Sequence, residues 1–279
     1  MAKNIFRGQT TVNNIYRGNT PLSKVYKGNT EIWAAEAGFN PPITADVFAF
    51  HAATYGGSGD WIDDTNSYPA ALVSSPSFVS DGFSSYWNLN GTSTGFNVNN
   101  ADIPDALFSS MGTTGAAEGS AEFVVFPTDL TSDFGTLALL WNSSESNRQW
   151  LIGNVNTTNF STLYQTGTGS SNRTYVNHGG ILTTEDVWKH IMITWSQPNN
   201  SLKVYINNSV VSSTTMQSNE AWIVADNCLG LGYYVENCTQ NVRRHWAGRY
   251  ACARAYNDEL TSGQVSTMYS FWSNYFSFS

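Results

Sequence analysis

Of the chain's 279 residues, 12% are charged and 14% aromatic, with a formal net charge of −8. That length suits one large β-sandwich or two small domains, and the acidic balance argues against binding nucleic acid through phosphate neutralisation. Asn, Ser, Thr and Gly beside β-branched and aromatic residues suit strands and turns. No long run of helical period supports a helical or α/β enzyme, and no apolar run is long enough to insert in a membrane as a helix.

In chain order, the first feature is a repeat. Ile5-Phe6-Arg7-Gly8-Gln9-Thr10, Ile15-Tyr16-Arg17-Gly18-Asn19-Thr20 and Val25-Tyr26-Lys27-Gly28-Asn29-Thr30 recur with a period of ten, and Ile32-Trp33 closes the third unit. Each unit reads apolar, aromatic, cation, Gly, amide, Thr. The Gly-Gln or Gly-Asn pair is turn chemistry, because Gly takes positive φ freely and Asn tolerates it. The stretch between turns, about six residues, would run roughly 20 Å as a strand. Such short strands bury too little to stand alone and need a neighbour, either the rest of the chain or a partner surface. Residues 1–33 hold five cations against Glu31, a net +4, so the remainder carries −12. This asymmetry reads either as a segment with its own partner or as cations on solvated turns. We expect an attachment segment over 1–33 that docks through Phe6, Arg7, Gly8, Tyr16, Arg17, Gly18, Tyr26, Lys27, Gly28 and Trp33.

Residues 34–42 (AAEAGFNPP) break the pattern and read as a linker. From 43 to 279 the punctuation is that of one all-β sandwich. Strands are predicted over 47–52, 85–91, 121–127, 135–141, 149–153, 188–195 and 202–208, with a Gly-rich loop over 55–64. Turn signals recur every ten to fifteen residues. Only 258–272 has a helical pattern, with Leu260, Val265, Met268 and Tyr269 apolar. Three cysteines, Cys228, Cys238 and Cys252, and no apolar leader predict three buried free thiols rather than a disulfide framework, although a Cys228–Cys238 bridge stays open.

Two resemblances follow. The repeats resemble the I-Y-R-G-x-T repeats at the N-termini of bacteriophage fibre and decoration proteins. The body resembles the concanavalin A-like jelly roll of laminin-G-type (LamG) domains in four ordered stretches. These are 50–72 (strand, Gly-Ser-Gly, Trp-x-Asp), 87–91 with Phe96, the hairpin 188–208 with its Trp-x-His start, and the closing stretch from Trp246-Ala247-Gly248 to Leu260. Asn208 stands where the pattern has Gly. The resemblance implies calcium as a cofactor of many members, although no cofactor is certain here. Asp60, Asp63, Asp64 and Asp81 are the loop acids of the right type, and solvated turns are the alternative.

Glucanases on this fold need carboxylates spaced E-x-D-x-x-E on one strand face. Glu122 lies in a strand, but Val124 stands where the next acid is needed, so we expect no enzyme. The histidines show no metal-ligand spacing, and His190 reads as a hydrogen-bonded core residue. Sugar rings stack on aromatic faces. Trp61, Trp87, Trp150, Trp222 and Trp246 are the candidates for glycan contact, while Trp188 and Trp195 read as core. The functional expectation is a phage virion structural protein, a tail fibre or capsid decoration protein. It would assemble without a signal peptide in the host cytoplasm as a homo-oligomer, dock on other virion proteins through 1–33, and display a lectin-like sandwich to host-surface glycans. The alternatives are a purely structural decoration protein with no ligand, and a glycan hydrolase.

Overall fold

A computed structural model describes residues 39–65, 68–98, 118–130, 135–142, 147–156, 159–165, 173–215, 227–236 and 240–278, together with six short strands within 6–34. The chain divides into two compact units, Met1–Asn40 and Pro41–Ser279. Strands are numbered in chain order.

The first unit contains three separate hairpins, one per repeat. They are β1 (Phe6–Arg7) with β2 (Thr10–Thr11), β3 (Tyr16–Arg17) with β4 (Thr20–Pro21), and β5 (Lys24–Lys27) with β6 (Thr30–Ala34). The register is the same each time: Arg7 faces Thr10, Arg17 faces Thr20 and Lys27 faces Thr30. A two-residue Gly-Gln or Gly-Asn connection fixes that register, as short hairpin loops do. The pairing therefore closes inside each unit across its Gly-amide pair. Gly8, Gly18 and Gly28 lie outside the described residues; the other proposed attachment residues all fall on these strands.

The second unit is a sandwich of two eight-stranded antiparallel sheets. The first runs β10 (Ser77–Val79), β11 (Tyr86–Asn90), β24 (Ala247–Tyr256), β13 (Glu118–Pro127), β18 (Lys189–Ser196), β19 (Ser201–Ile206), β20 (Ser209–Thr214), with β7 (Phe48–His51) also paired to β24. The second runs β17 (Arg173–Asn177), β16 (Asn159–Gln165), β15 (Asn147–Asn156), β14 (Gly135–Asn142), β21 (Asn227–Leu231), β12 (Gly95–Val98), β9 (Pro69–Val73), β8 (Trp61–Ile62). A small hairpin, β22 (Tyr234–Glu236) with β23 (Gln240–Arg243), forms its own two-stranded sheet, and Tyr234 packs with Leu139 and Leu151 of the second sheet.

Period-two alternation sends Phe123 and Val125, Ile191, Ile193 and Trp195, and Ala253 and Ala255 inward from the first sheet. Trp61, Phe96, Ala138, Leu140, Leu229 and Leu231 meet them from the second. Burying each large side chain contributes roughly 1.5–3 kcal/mol. Tyr250 also crosses the core, its hydroxyl donating to the Leu137 carbonyl at 3.0 Å.

The predicted helix forms as α1 (Ser262–Trp272), with Thr261 and Gln264 completing a reciprocal capping box. Its Val265, Met268 and Trp272 are buried. Part of the outer face of the first sheet is therefore covered too, and β18 is buried along its whole length. At the β19–β20 turn, Asn207 and Asn208 take φ of +48° and +67°. Asn tolerates this left-handed conformation, which explains how it replaces the usual glycine.

One expectation fails for the thiols. Cys228 is disulfide-bonded, not free. The odd cysteine count hid this, because Cys252 is a free thiol buried in β24. Cys238 lies outside the described residues.

Candidate functional site

The outer face of the first sheet carries two polar regions. The first is centred on Glu122, which is fully buried. Cross-strand register places Arg254 of β24 and Met192 of β18 beside it. One carboxylate oxygen accepts from His190 Nε2 and Trp272 Nε1, each at 2.8 Å. The other accepts from Arg254 Nη1 at 2.9 Å and the Tyr256 hydroxyl at 2.6 Å. Burial alone would raise the carboxyl pKa, but the Arg254 guanidinium and the bonds from His190 and Tyr256 outweigh it and hold the value at about 2. Burial pushes the Tyr256 phenol well up. A general acid needs a raised pKa and access to substrate. Glu122 has neither, since α1 and the C-terminal segment roof it. It is a structural ion pair, and His190 is a core histidine as expected.

The second region lies along the same strands, four residues further down β13 from Glu122, or about 13 Å. Here Tyr86 (β11), Arg249 (β24), Phe126 (β13) and Trp188, just before β18, form a row. Arg249 faces Phe126 and Asn88 in register. Val125 faces Lys189, so Phe126 comes beside Trp188, with ring centroids 5.4 Å apart. The approach of β24 to β13 depends on Gly248, whose φ is +140°; a Cβ there would come 2.0 Å from the Phe126 carbonyl oxygen.

The C-terminal segment supplies one wall. Trp188 pairs with Phe278 as an isolated bridge and packs against Phe276, centroids 4.4 Å apart. The opposite wall is the turn 81–85, closed by Ser84 N to the Asp81 carbonyl at 2.9 Å and Asp81 N to Ser85 Oγ at 3.0 Å. The Ser84 hydroxyl donates to the Tyr275 carbonyl at 2.9 Å and ties the walls together. Between them is an open cleft of about 290 Å³, lined by Asp81, Ser84, Tyr86, Trp188, Arg249 and 275–277.

The guanidinium of Arg249 lies 4.8 Å from the Tyr86 ring centre and 4.3 Å from that of Phe126. Those rings come from the strands on either side of β24. Among the described residues, no hydrogen bond or ion pair engages the side chains of Arg249, Tyr86, Trp188 or Asp81. An aromatic surface with unpaired donors and an unpaired carboxylate can hold a polyhydroxylated ring: stacking takes one face, and hydrogen bonds take the hydroxyls.

The tryptophans chosen from sequence fall elsewhere. Trp61, Trp87 and Trp246 are 0–1% exposed and belong to the core, so no sugar reaches their faces. Trp61 stacks within an aromatic cluster, 4.8 Å from Phe96 and 5.9 Å from Trp87. The side chain of Trp150, and Trp222 entirely, lie outside the described residues. Trp195 is core, but Trp188 is half-buried and lines the cleft. Its parity was the available signal: 191, 193 and 195 point inward, so 188 points outward.

The four aspartates do not converge. Asp60 is exposed in its loop. Asp63 is buried and accepts from the Ala49 amide. Asp64 bonds His51 Nδ1 at 2.5 Å and the Thr54 hydroxyl at 3.0 Å. Both clamp the 61–65 turn to β7, which is a structural use for acids proposed as calcium ligands. Asp81 stands in the cleft. Among the described residues, no group of three or more His, Cys, Asp or Glu side chains is arranged to hold a metal. No described helix is long and apolar enough to cross a membrane.

The sequence profile of Laminin_G_3, the concanavalin A-like lectin/glucanases superfamily, matches residues 90–266. Among solved structures, the chain is similar to the binding domain of botulinum neurotoxin serotype G, with a TM-score of 0.59 and 14% identity over 82% of this chain and 51% of that one. It is similar to CBM40 of the Ruminococcus gnavus IT-sialidase bound to α2,3-sialyllactose, with a TM-score of 0.51 and 12% identity over 70% and 98%. It is also similar to domain 4 of a GH43 extracellular arabinanase from Geobacillus stearothermophilus in complex with arabinotriose, with a TM-score of 0.50 and 16% identity over 80% and 97%. The chain spans about half the length of the neurotoxin binding domains it matches. No curated protein sequence matches it.

Proposed function

The chain belongs to the concanavalin A-like lectin/glucanase superfamily, and we propose that it is a non-catalytic carbohydrate-binding module carried on a virion by its N-terminal repeats. The observation that carries the binding reading is the cleft, where Trp188 and Tyr86 offer ring surface beside Arg249 and Asp81. Similar sandwiches whose structures hold sialyllactose and arabinotriose support it. Against hydrolysis stands Glu122, whose two oxygens already accept four hydrogen bonds under the roof of α1.

For attachment, three hairpins of one register present the same aromatic and cationic positions three times. A repeated array of this kind suits a repeated receiving surface, and their likeness to phage repeats points to a fibre or decoration protein. Copy number on a particle would raise weak glycan affinity to useful avidity.

Two experiments test this. The full chain on a multivalent glycan array should bind, and Trp188→Ala should lose at least tenfold in affinity; no binding at high valency would overturn the lectin reading. A chain lacking 1–33 should fail to join particles in an assembly assay, and normal incorporation would overturn the attachment reading.

A further inference from the structure

We propose that the cleft takes an acidic saccharide, whose carboxylate pairs with Arg249 while its hydroxyls reach Asp81; this rests on the carbohydrate reading above and narrows it.

Arg249 is held between two aromatic rings. Flanking rings at 4.8 and 4.3 Å engage the flat guanidinium. Its N–H groups have no acceptor among the described residues. A planar fork of donors matches a carboxylate in bidentate geometry, which a lone hydroxyl cannot reproduce.

Charge economy points the same way. Residues 34–279 hold eight Lys and Arg against twenty Asp and Glu. In so acidic a body a cation readily finds a partner, as Lys203 does with Glu259 at 3.3 Å and Arg254 with Glu122 at 2.9 Å. Arg249 remains unpaired even though Asp81 lines the same cleft. Arg249 is half-buried between the rings and lines the open cleft, where an arriving anion can complete the pair.

Asp81 then sets direction. Its carboxylate repels an acidic group and accepts hydroxyl donors. A ligand with an acid at one end and hydroxyls at the other fits in one orientation, with its ring on the aromatic surface of Trp188. A peptide carboxylate would satisfy Arg249 but bring no array of hydroxyls for Asp81.

The test compares uronic- and sialic-acid glycans with the same glycans after reduction of the carboxyl to a primary alcohol, using the full chain and calorimetry. Reduction should weaken binding about ten- to a hundredfold, the effect of losing charge-assisted bonds. Arg249→Gln should abolish the preference, and Arg249→Lys should restore only part of it. Ser277→Trp, an exposed position on the cleft wall, should block all binding without touching the sheet. It keeps the test decisive if the arginine variants fold poorly. Equal binding of acidic and reduced glycans, still blocked by Ser277→Trp, would overturn this inference and leave the carbohydrate reading standing. Binding of neither would overturn both. Acid-selective binding that survives Ser277→Trp would place the site elsewhere, and equal binding of polyglutamate would overturn the saccharide assignment.

Discussion

Two ends of one sheet face, drawn from the same strands, are treated in opposite ways. On β24, Arg254 pairs with a carboxylate, and Arg249 meets only two aromatic rings, with no hydrogen-bond or ion-pair partner among the described residues. On β13, Glu122 is fully buried and hydrogen-bonded on both oxygens, while Phe126 four residues on backs an open cleft. Helix α1 and the segment after it make the difference. They roof the first region and wall only one side of the second. A buried ionic group is tolerable when its charge is matched, and the Glu122 carboxylate accepts two hydrogen bonds on each oxygen, although Arg254 Nε and His190 Nδ1 find no partner among the described residues. The second leaves donors and an acceptor facing water, which is wasteful for stability and useful for binding.

The comparison is broken most directly at Glu122. Removing it by Glu122→Ala strands Arg254 in the interior, and we expect a loss of about 3–5 kcal/mol. For a unit of this size that lowers the melting temperature by roughly 10 °C. A loss under about 1 kcal/mol in chemical denaturation would mean the region is open to water after all. Replacing both partners, Glu122→Leu with Arg254→Met, should recover much of the loss, because no unpaired charge remains.

Acid should act on the same region less abruptly. The Glu122 carboxyl is held at about 2 against an ordinary 4.5. The unfolded chain therefore takes up the proton first, and the contribution is present above pH 4.5 and lost as pH falls toward 2. That shift corresponds to a loss of about 3 kcal/mol. His178, flanked by Thr162 at 2.9 Å and Ser212 at 2.6 Å, is lowered by burial from 6.5 to about 4. The sign is the same, in a higher window from pH 6.5 to 4. Urea midpoints measured against pH should fall in both windows, and Glu122→Gln should flatten the lower one. An unchanged slope below pH 4.5 in that variant would remove Glu122 as the cause.

How much of this was legible follows from what each feature depends on. The strands β13, β18 and β19 and the helix rest on local alternation, period and a Thr-x-x-Gln cap, and all were readable. The hairpins inside the repeats were half readable: the turn chemistry was plain, but which strands close across it was not. Trp61 and Trp87 look like exposed stacking residues in a loop and a strand end, and only packing puts them inside. Both faces of β18 are buried, so hydrophobicity does not separate Trp195 from Trp188 just before it; only parity along the strand does. The partners of Glu122 lie 68 to 150 residues away in sequence. Register, not spacing, gathers them, and the same holds for Tyr86, Phe126, Trp188 and Arg249.

The open end gives smaller effects on stability. Trp188→Ala removes a half-buried ring packed against Phe126 and Phe276, and should cost about 1–3 kcal/mol. Arg249→Gln is the finest probe. It deletes two ring contacts, each about 0.5–1 kcal/mol at a partly exposed site, and also removes the cost of holding a half-buried cation without an acidic partner. The two terms oppose, so the melting temperature should move by no more than about 2 °C while binding of acidic glycans is lost. A fall as large as that of Glu122→Ala would mean Arg249 is structural cement like Arg254, and the two ends of the face would no longer differ in kind.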